Sequence, residues 1–179
     1  MGMLKVTECE LEGLKIIEPQ VFADDRGWFM ELYRKEDYEE AGICCEFVQD
    51  NRAYSKQGVL RGMHFQVKYP QDKLLSVLRG EIYDVAVDIR KDSKTYGKWF
   101  GIRLSDENKK QVFIPKGFAH GYLVLSKEAE ILYKCSEIYH PEDEGGIAWD
   151  DPKLAIQWPI SVQSELIISE KDRNWEGLL

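Results

Sequence analysis

Two short runs hold most of the chemistry-bearing side chains of this 179-residue chain. The first, GVLRGMHFQVKYPQDKLLSVLRG at 58–80, contains Arg61, His64, Gln66 and Lys73. The second, PKGFAHG at 115–121, contains His120. An imidazole takes up and gives back a proton near neutral pH. An ammonium has no lone pair, so it repels a divalent cation but stabilises an oxyanion that forms beside it. Two imidazoles with an ammonium therefore suit proton transfer next to developing negative charge better than metal binding.

Each of these residues also has a plainer reading. A strand histidine is commonly a hydrogen-bonded packing residue, but the chain has three histidines in all, and His64 has Arg61, Gln66 and Lys73 as close neighbours in sequence. His120 follows a Pro-x-Gly turn that places it at a strand entrance. His140, in Tyr139-His140-Pro141, reads as an exposed turn residue. Tyr133 is one of nine tyrosines, and on composition alone it packs with its hydroxyl satisfied. Asp84, Asp88 and Asp172, taken singly, read as surface carboxylates of an acidic chain. Arg26 and Arg61 fit surface ion pairs, yet arginine is also the side chain that grips phosphate through two parallel hydrogen bonds.

The elements that must position these groups read as strands. In Gly80 to Arg90, GEIYDVAVDIR, Tyr83, Val85, Val87 and Ile89 fall on one face and Asp84, Ala86, Asp88 and Arg90 on the other, so one face is expected to be core. Further strands are expected at 14–22, 48–54, 59–66, 99–104, 112–114, 121–125, 130–138 and 146–149, separated by Gly, Pro, Ser and Asp turn residues. That spacing is the pattern of an all-β double-sheet jelly roll. A helix is expected at Arg34 to Ala41, stopped by Gly42, and a second helical turn at Ser169, where SEKD has a serine cap followed by acidic residues.

The length is that of one domain, 1–179. The net charge is -8 and no basic run appears, which argues against a nucleic-acid partner. No apolar run reaches bilayer length and no leader pattern opens the chain. Cys9, Cys44, Cys45 and Cys135 lack CxxC spacing and read as reduced thiols, which places the chain in the cytoplasm.

The spacing of the two runs resembles the paired motifs of metal-binding cupins. That resemblance implies a cupin-type double-stranded β-helix with a few short peripheral helices. It puts Gln66 where those proteins keep a second histidine and Lys73 where they keep a glutamate. The metal site would then be vacant of ligands, with a cation in place of a carboxylate.

A closer resemblance covers nearly the whole chain. The runs DDRGWFMELY at 24–33, FVQDNRAYSKQGVLRGMHFQ at 47–66, Lys73 to Ser126, AEILYKCSEIYHPEDEGGIAWDDP at 129–152 and SEKD at 169–172 are similar to the dTDP-4-dehydrorhamnose 3,5-epimerase family. This implies metal- and cofactor-free epimerisation of a nucleotide-linked 4-keto-6-deoxyhexose at C3 and C5, within deoxysugar biosynthesis. His64 would be the base, Asp172 its orienting partner, Lys73 the cation beside the C4 oxygen, and Tyr133 the acid on the opposite face of the ring. Arg26, Glu31, Gln49, Asp50, Asn51, Arg61, His120, Tyr139, Glu144 and Lys171 would bind substrate, with Tyr139 stacking on the base. The resemblance also implies a homodimer with exchanged N-terminal strands. The alternatives are an epimerase acting at one carbon or on another nucleotide's sugar, a ketoisomerase of similar fold, and a non-catalytic sugar-binding cupin module.

Overall fold

The structure, a computed structural model, describes residues 4–160 and 165–178. In chain order the elements are β1 (Leu4–Glu8), β2 (Lys15–Pro19), β3 (Val21–Asp24), β4 (Gly27–Met30), α1 (Lys35–Glu40), β5 (Gln49–Lys56), β6 (Val59–Gln66) and β7 (Lys73–Arg79). There follow β8 (Glu81–Asp88), β9 (Trp99–Ser105), β10 (Gln111–Ile114), β11 (Phe118–Val124), β12 (Glu128–Cys135), β13 (Glu144–Gly146), β14 (Ile167–Ile168) and α2 (Glu170–Arg173). Six strands in the order β1-β2-β10-β7-β12-β5 make one sheet, and β13-β6-β11-β8-β9 make the body of the other, with β14 beside β6. The short β3–β4 hairpin stands outside both.

The core between the sheets follows from alternation along the strands. Leu75 and Val77 of β7, Ala129 and Ile131 of β12, and Val112 and Ile114 of β10 meet Ile82 and Ala86 of β8 and Phe118, Tyr122 and Val124 of β11. On each of these strands the same inward face changes character along its length. On β7 it starts with Lys73 before Leu75 and Val77, and on β12 it passes from Ala129 and Ile131 to Tyr133 and Cys135. The antiparallel register sets Lys73 against Cys135 and Val77 against Ile131, so the polar ends coincide. One end of the sandwich is packed hydrocarbon and the other is lined with functional groups.

The expected one-sided burial of 80–90 is corrected, because β8 is covered on both faces. Ile82 and Ala86 belong to the inner core, whereas Val85 and Val87 pack outward against Met63, Ile147 and Leu154, with Trp158 alongside. The segment after β13 thus forms a third layer over the second sheet. Helix α1 covers the other sheet, its Tyr38 packing on Ile17, Leu74 and Phe113. It ends as expected, with Gly42 at φ +77°. Two further expectations shift. The 14–22 run breaks at Pro19 into β2 and β3, and the strand expected at 146–149 is displaced to Glu144–Gly146, where it pairs with β6.

Strands β6 and β11 approach each other unusually closely beside the functional end. A Cβ on Gly62 (φ +123°) would lie 2.5 Å from the Gly121 Cα, and one on Gly121 would lie 2.7 Å from the Arg61 carbonyl oxygen. Gly62 lies two residues before His64 and Gly121 directly follows His120, and the register pairs those two histidines across the strands. Close backbone contact at Gly62 and Gly121 therefore brings both imidazoles to the same wall.

Candidate active site

A cavity of about 340 Å³ opens at the polar end of the sandwich. Three of the four expected catalytic side chains line it: His64 from β6, Lys73 from β7 and Tyr133 from β12. Asp172 reaches the site from behind, on the helical turn α2. Ser169 caps that turn, its hydroxyl accepting the Asp172 N–H at 3.1 Å, as the SEKD pattern implied. His64 Nε2 lies 2.6 Å from Asp172 Oδ1, and the Gly62 N–H donates to Asp172 Oδ2 at 3.2 Å. Asp172 itself is 4% exposed. Burial alone would raise its carboxyl, but the hydrogen bond with His64, the proximity of that ring and the Gly62 N–H outweigh it and hold the group below its ordinary value. A carboxylate accepting the Nε2–H leaves Nδ1 as the nitrogen able to take a proton.

Lys73 has a different environment. Burial pushes its ammonium down from the ordinary lysine value, against the opposing pull of Cys135, Asp84 and Glu144. Among the described residues no ion pair or side-chain hydrogen bond engages its Nζ. A cation held in a partly desolvated wall without a partner is placed to meet negative charge on a ligand. Tyr133 is pushed up to about 12, first by burial and then by neighbouring Cys135 and Tyr122. Its phenol therefore holds its proton at neutral pH and has one to give.

The expected binding residues separate into two groups. Gln49, Asn51, Arg61, His120, Tyr139 and Glu144 line the cavity. Lys171 stands at its rim, where its ammonium pairs with Glu144. Arg26, Glu31 and Asp50 lie outside it. Arg26 is at the tip of the β3–β4 hairpin, its side chain 90% exposed and paired with Asp24. Glu31 borders a separate depression beside Leu4 and Tyr38, and Asp50 faces solvent, paired with Lys134 at 3.0 Å. His140 stacks on Tyr69 at 4.1 Å between ring centroids, a structural role in keeping with its turn position.

Several residues have partners at the site that the sequence did not reveal. His120 Nε2 lies 2.7 Å from Asp84 Oδ2, so the second imidazole has its own buried carboxylate. The signal was present in β8, where Asp84 shares the inward face with Ile82 and Ala86. Gln66 ties the two loops at the cavity mouth, donating to the carbonyls of Tyr69 and Ile138 and accepting from the His140 N–H at 2.7 Å. Trp175 packs edge-on against His64 at 6.4 Å, and no local pattern in the tail pointed to it. Among the described residues no group of three or more His, Cys, Asp and Glu side chains converges as a metal-ligand set, and no helix is long and apolar enough to cross a membrane.

Comparison with known proteins identifies relatives that match nearly the whole chain. The family model described as dTDP-4-dehydrorhamnose 3,5-epimerase matches residues 8–179. A protein of that name from Methanothermobacter thermautotrophicus is 55% identical over 178 residues, covering 99% of this chain and 96% of the relative. The crystal structure of dTDP-6-deoxy-D-glucose-3,5-epimerase from Legionella pneumophila, in complex with dTDP-4-keto-L-rhamnose, superposes with a TM-score of 0.95 at 50% identity, covering 98% of this chain and 93% of the other. A more distant structure, ChmJ from Streptomyces bikiniensis, a 3'-monoepimerase in complex with dTDP-quinovose, gives a TM-score of 0.88 at 33% identity, covering 95% and 86%.

Proposed function

Because the chain belongs to the dTDP-4-dehydrorhamnose 3,5-epimerase family, we propose that it inverts C3 and C5 of dTDP-4-dehydro-6-deoxy-D-glucose to give dTDP-4-dehydro-L-rhamnose. The observation that carries this reading is the convergence on one cavity of the Asp172-oriented His64, the Lys73 ammonium, unpaired among the described residues, and the protonated Tyr133. Both C3 and C5 adjoin the C4 ketone, so removal of either hydrogen as a proton leaves an enolate with its charge on the C4 oxygen. His64 Nδ1 takes the proton, and Lys73 stabilises the oxygen as charge builds, in a site where burial strengthens the interaction. Tyr133 then returns a proton to carbon on the opposite face, which sets the inverted configuration. Arg61 fits the pyrophosphate and Tyr139 the base, through ion pairing and stacking. The positive side chains at the mouth offset the chain's net charge of -8 for an anionic ligand.

The test is incubation with the 4-keto sugar nucleotide in deuterated water, with chelator present. Deuterium is expected at both C3 and C5. Incorporation at one carbon would assign a monoepimerase, the chemistry of the ChmJ relative, and incorporation at neither would overturn the epimerase assignment.

The proposal includes a single domain over 1–179, a cytoplasmic location and a homodimer with exchanged N-terminal strands. The β3–β4 hairpin supports the dimer. It exposes Phe22, Trp28 and Phe29, at 48%, 59% and 64%, and carries Arg26 and leads to Glu31, neither of which reaches its own cavity. A partner's cavity would accept both residues while covering the apolar side chains. Light scattering after size exclusion is expected to give twice the 20.8 kDa chain mass, and a monomer at micromolar concentration would remove the dimer from the proposal.

A further inference from the structure

Inverting two carbons with one base and one acid creates a problem of proton balance. In each inversion a C–H bond breaks, its electron pair enters the enolate and its proton goes to His64. The enolate carbon then forms a bond to the Tyr133 proton, and the C4 oxygen returns to a neutral ketone. The substrate's hydrogen count is unchanged, but the protein is left with an imidazolium and a phenolate. Before the same pair can act again, His64 must lose a proton and Tyr133 must regain one from solvent.

The His64 side chain is 29% exposed toward the cavity, and once a ligand covers that face the surrounding protein restricts where its proton can go. Nε2 is committed to Asp172, which is buried, and the ring edge packs on Trp175. The neighbouring imidazole of His120 is committed to Asp84. On the Nδ1 side stands Glu144, with Oε1 at 3.9 Å. That is too long for a hydrogen bond but within reach of a small side-chain rotation. The other carboxylate oxygen, Oε2, accepts from the Tyr139 hydroxyl and the Lys171 ammonium. Tyr139 is 48% exposed and the Lys171 side chain 50%, whereas the Glu144 side chain is 8% exposed. Glu144 is thus a buried carboxylate with one oxygen facing the base and the other held by two groups at the surface. Burial would raise its carboxyl, but Lys171, Tyr139 and His64 outweigh that and hold it below its ordinary value, so it stands ionised beside the base and carries a proton only in transit.

We propose that Glu144 relays the abstracted proton from His64 Nδ1 toward solvent between the two inversions, and so determines whether the second carbon reacts. This inference rests on the epimerase reading above. Geometry makes Glu144 the connection between base and surface, while substrate contact by itself would not require its carboxylate to face Nδ1.

The experiment compares the full-length protein with Glu144→Gln in deuterated water at saturating sugar nucleotide, following label at C3 and C5 by NMR. Glutamine keeps the size and an acceptor oxygen for Lys171 and Tyr139 but cannot pass a proton. The ratio of second-carbon to first-carbon exchange is expected to fall about tenfold or more, to recover on addition of formate as a small proton carrier, and to be intermediate in Glu144→Asp. An unchanged ratio, a rise in KM alone, or a fall that formate does not reverse would overturn the relay. Double exchange by the unsubstituted protein together with an unchanged ratio in the variant removes the relay only. Exchange at fewer than two carbons by the unsubstituted protein removes the double-epimerase reading and the relay with it.

Discussion

His64→Asn is expected to lower deuterium exchange at both C3 and C5 by about 10³- to 10⁴-fold, the upper part of the range for losing a positioned general base. Asparagine keeps a side-chain N–H that can donate to Asp172, so the buried carboxylate retains a partner, but it has no nitrogen able to accept a proton. The loss is expected in kcat, with little change in melting temperature, because His64 faces the cavity and lies outside the three apolar clusters. Asp172→Asn gives a smaller fall. The imidazole stays in place while the charge that holds its tautomer is gone. The measurement is single-turnover exchange by NMR, with circular dichroism to show that the variants fold. Exchange within tenfold of the unsubstituted protein in His64→Asn would remove the histidine from the role of base.

Lys73→Met is expected to lower the same exchange by about 10²- to 10³-fold, the magnitude found when a preorganised group facing a developing oxyanion is deleted. Methionine fills much of the space of the lysine stem, so Leu75 and Val77 on the same face keep their packing. The direction of the stability change separates this prediction from a structural effect. The Lys73 ammonium is destabilised by burial and has no ion-pair partner among the described residues, so an apolar replacement is expected to leave thermal stability equal or higher while activity collapses. A parallel drop in stability and activity would assign Lys73 to the scaffold instead. Divalent metal is expected to restore nothing, since the substitution adds only a thioether to the site.

The alternation along β6, β7 and β8 made the strands legible from sequence, and the turn residues between them made the double-sheet pattern legible as well. Less visible was the second layer of burial. Val85 and Val87 pack against Ile147, Leu154 and Trp158, partners some sixty residues away that local periodicity does not encode. The same limit explains why Asp84 read as a surface carboxylate. A carboxylate on a strand reads as solvent-facing until the long-range pairing of β8 with β11 brings His120 within 2.7 Å of it. His64 and Lys73 stood out by residue type and spacing, whereas Tyr133 and Asp172 entered through resemblance to a family, because strand spacing alone could not bring residues so far along the chain from His64 into one site. Nor could it place Arg26 and Glu31, whose hairpin leaves its own cavity.

The change in character along each inward strand face also bears on how the chain tolerates substitution. On β7, Lys73 and Leu75 are two residues, about 7 Å, apart, and on β12 the same step separates Tyr133 from Ile131. Changes at the outer member of each pair alter what is bound or how fast it reacts, whereas changes at the inner member alter whether the chain folds. Changes at the mouth therefore draw little on the stability reserve held by the floor, so binding and reaction rate can be altered by substitution with the scaffold left intact.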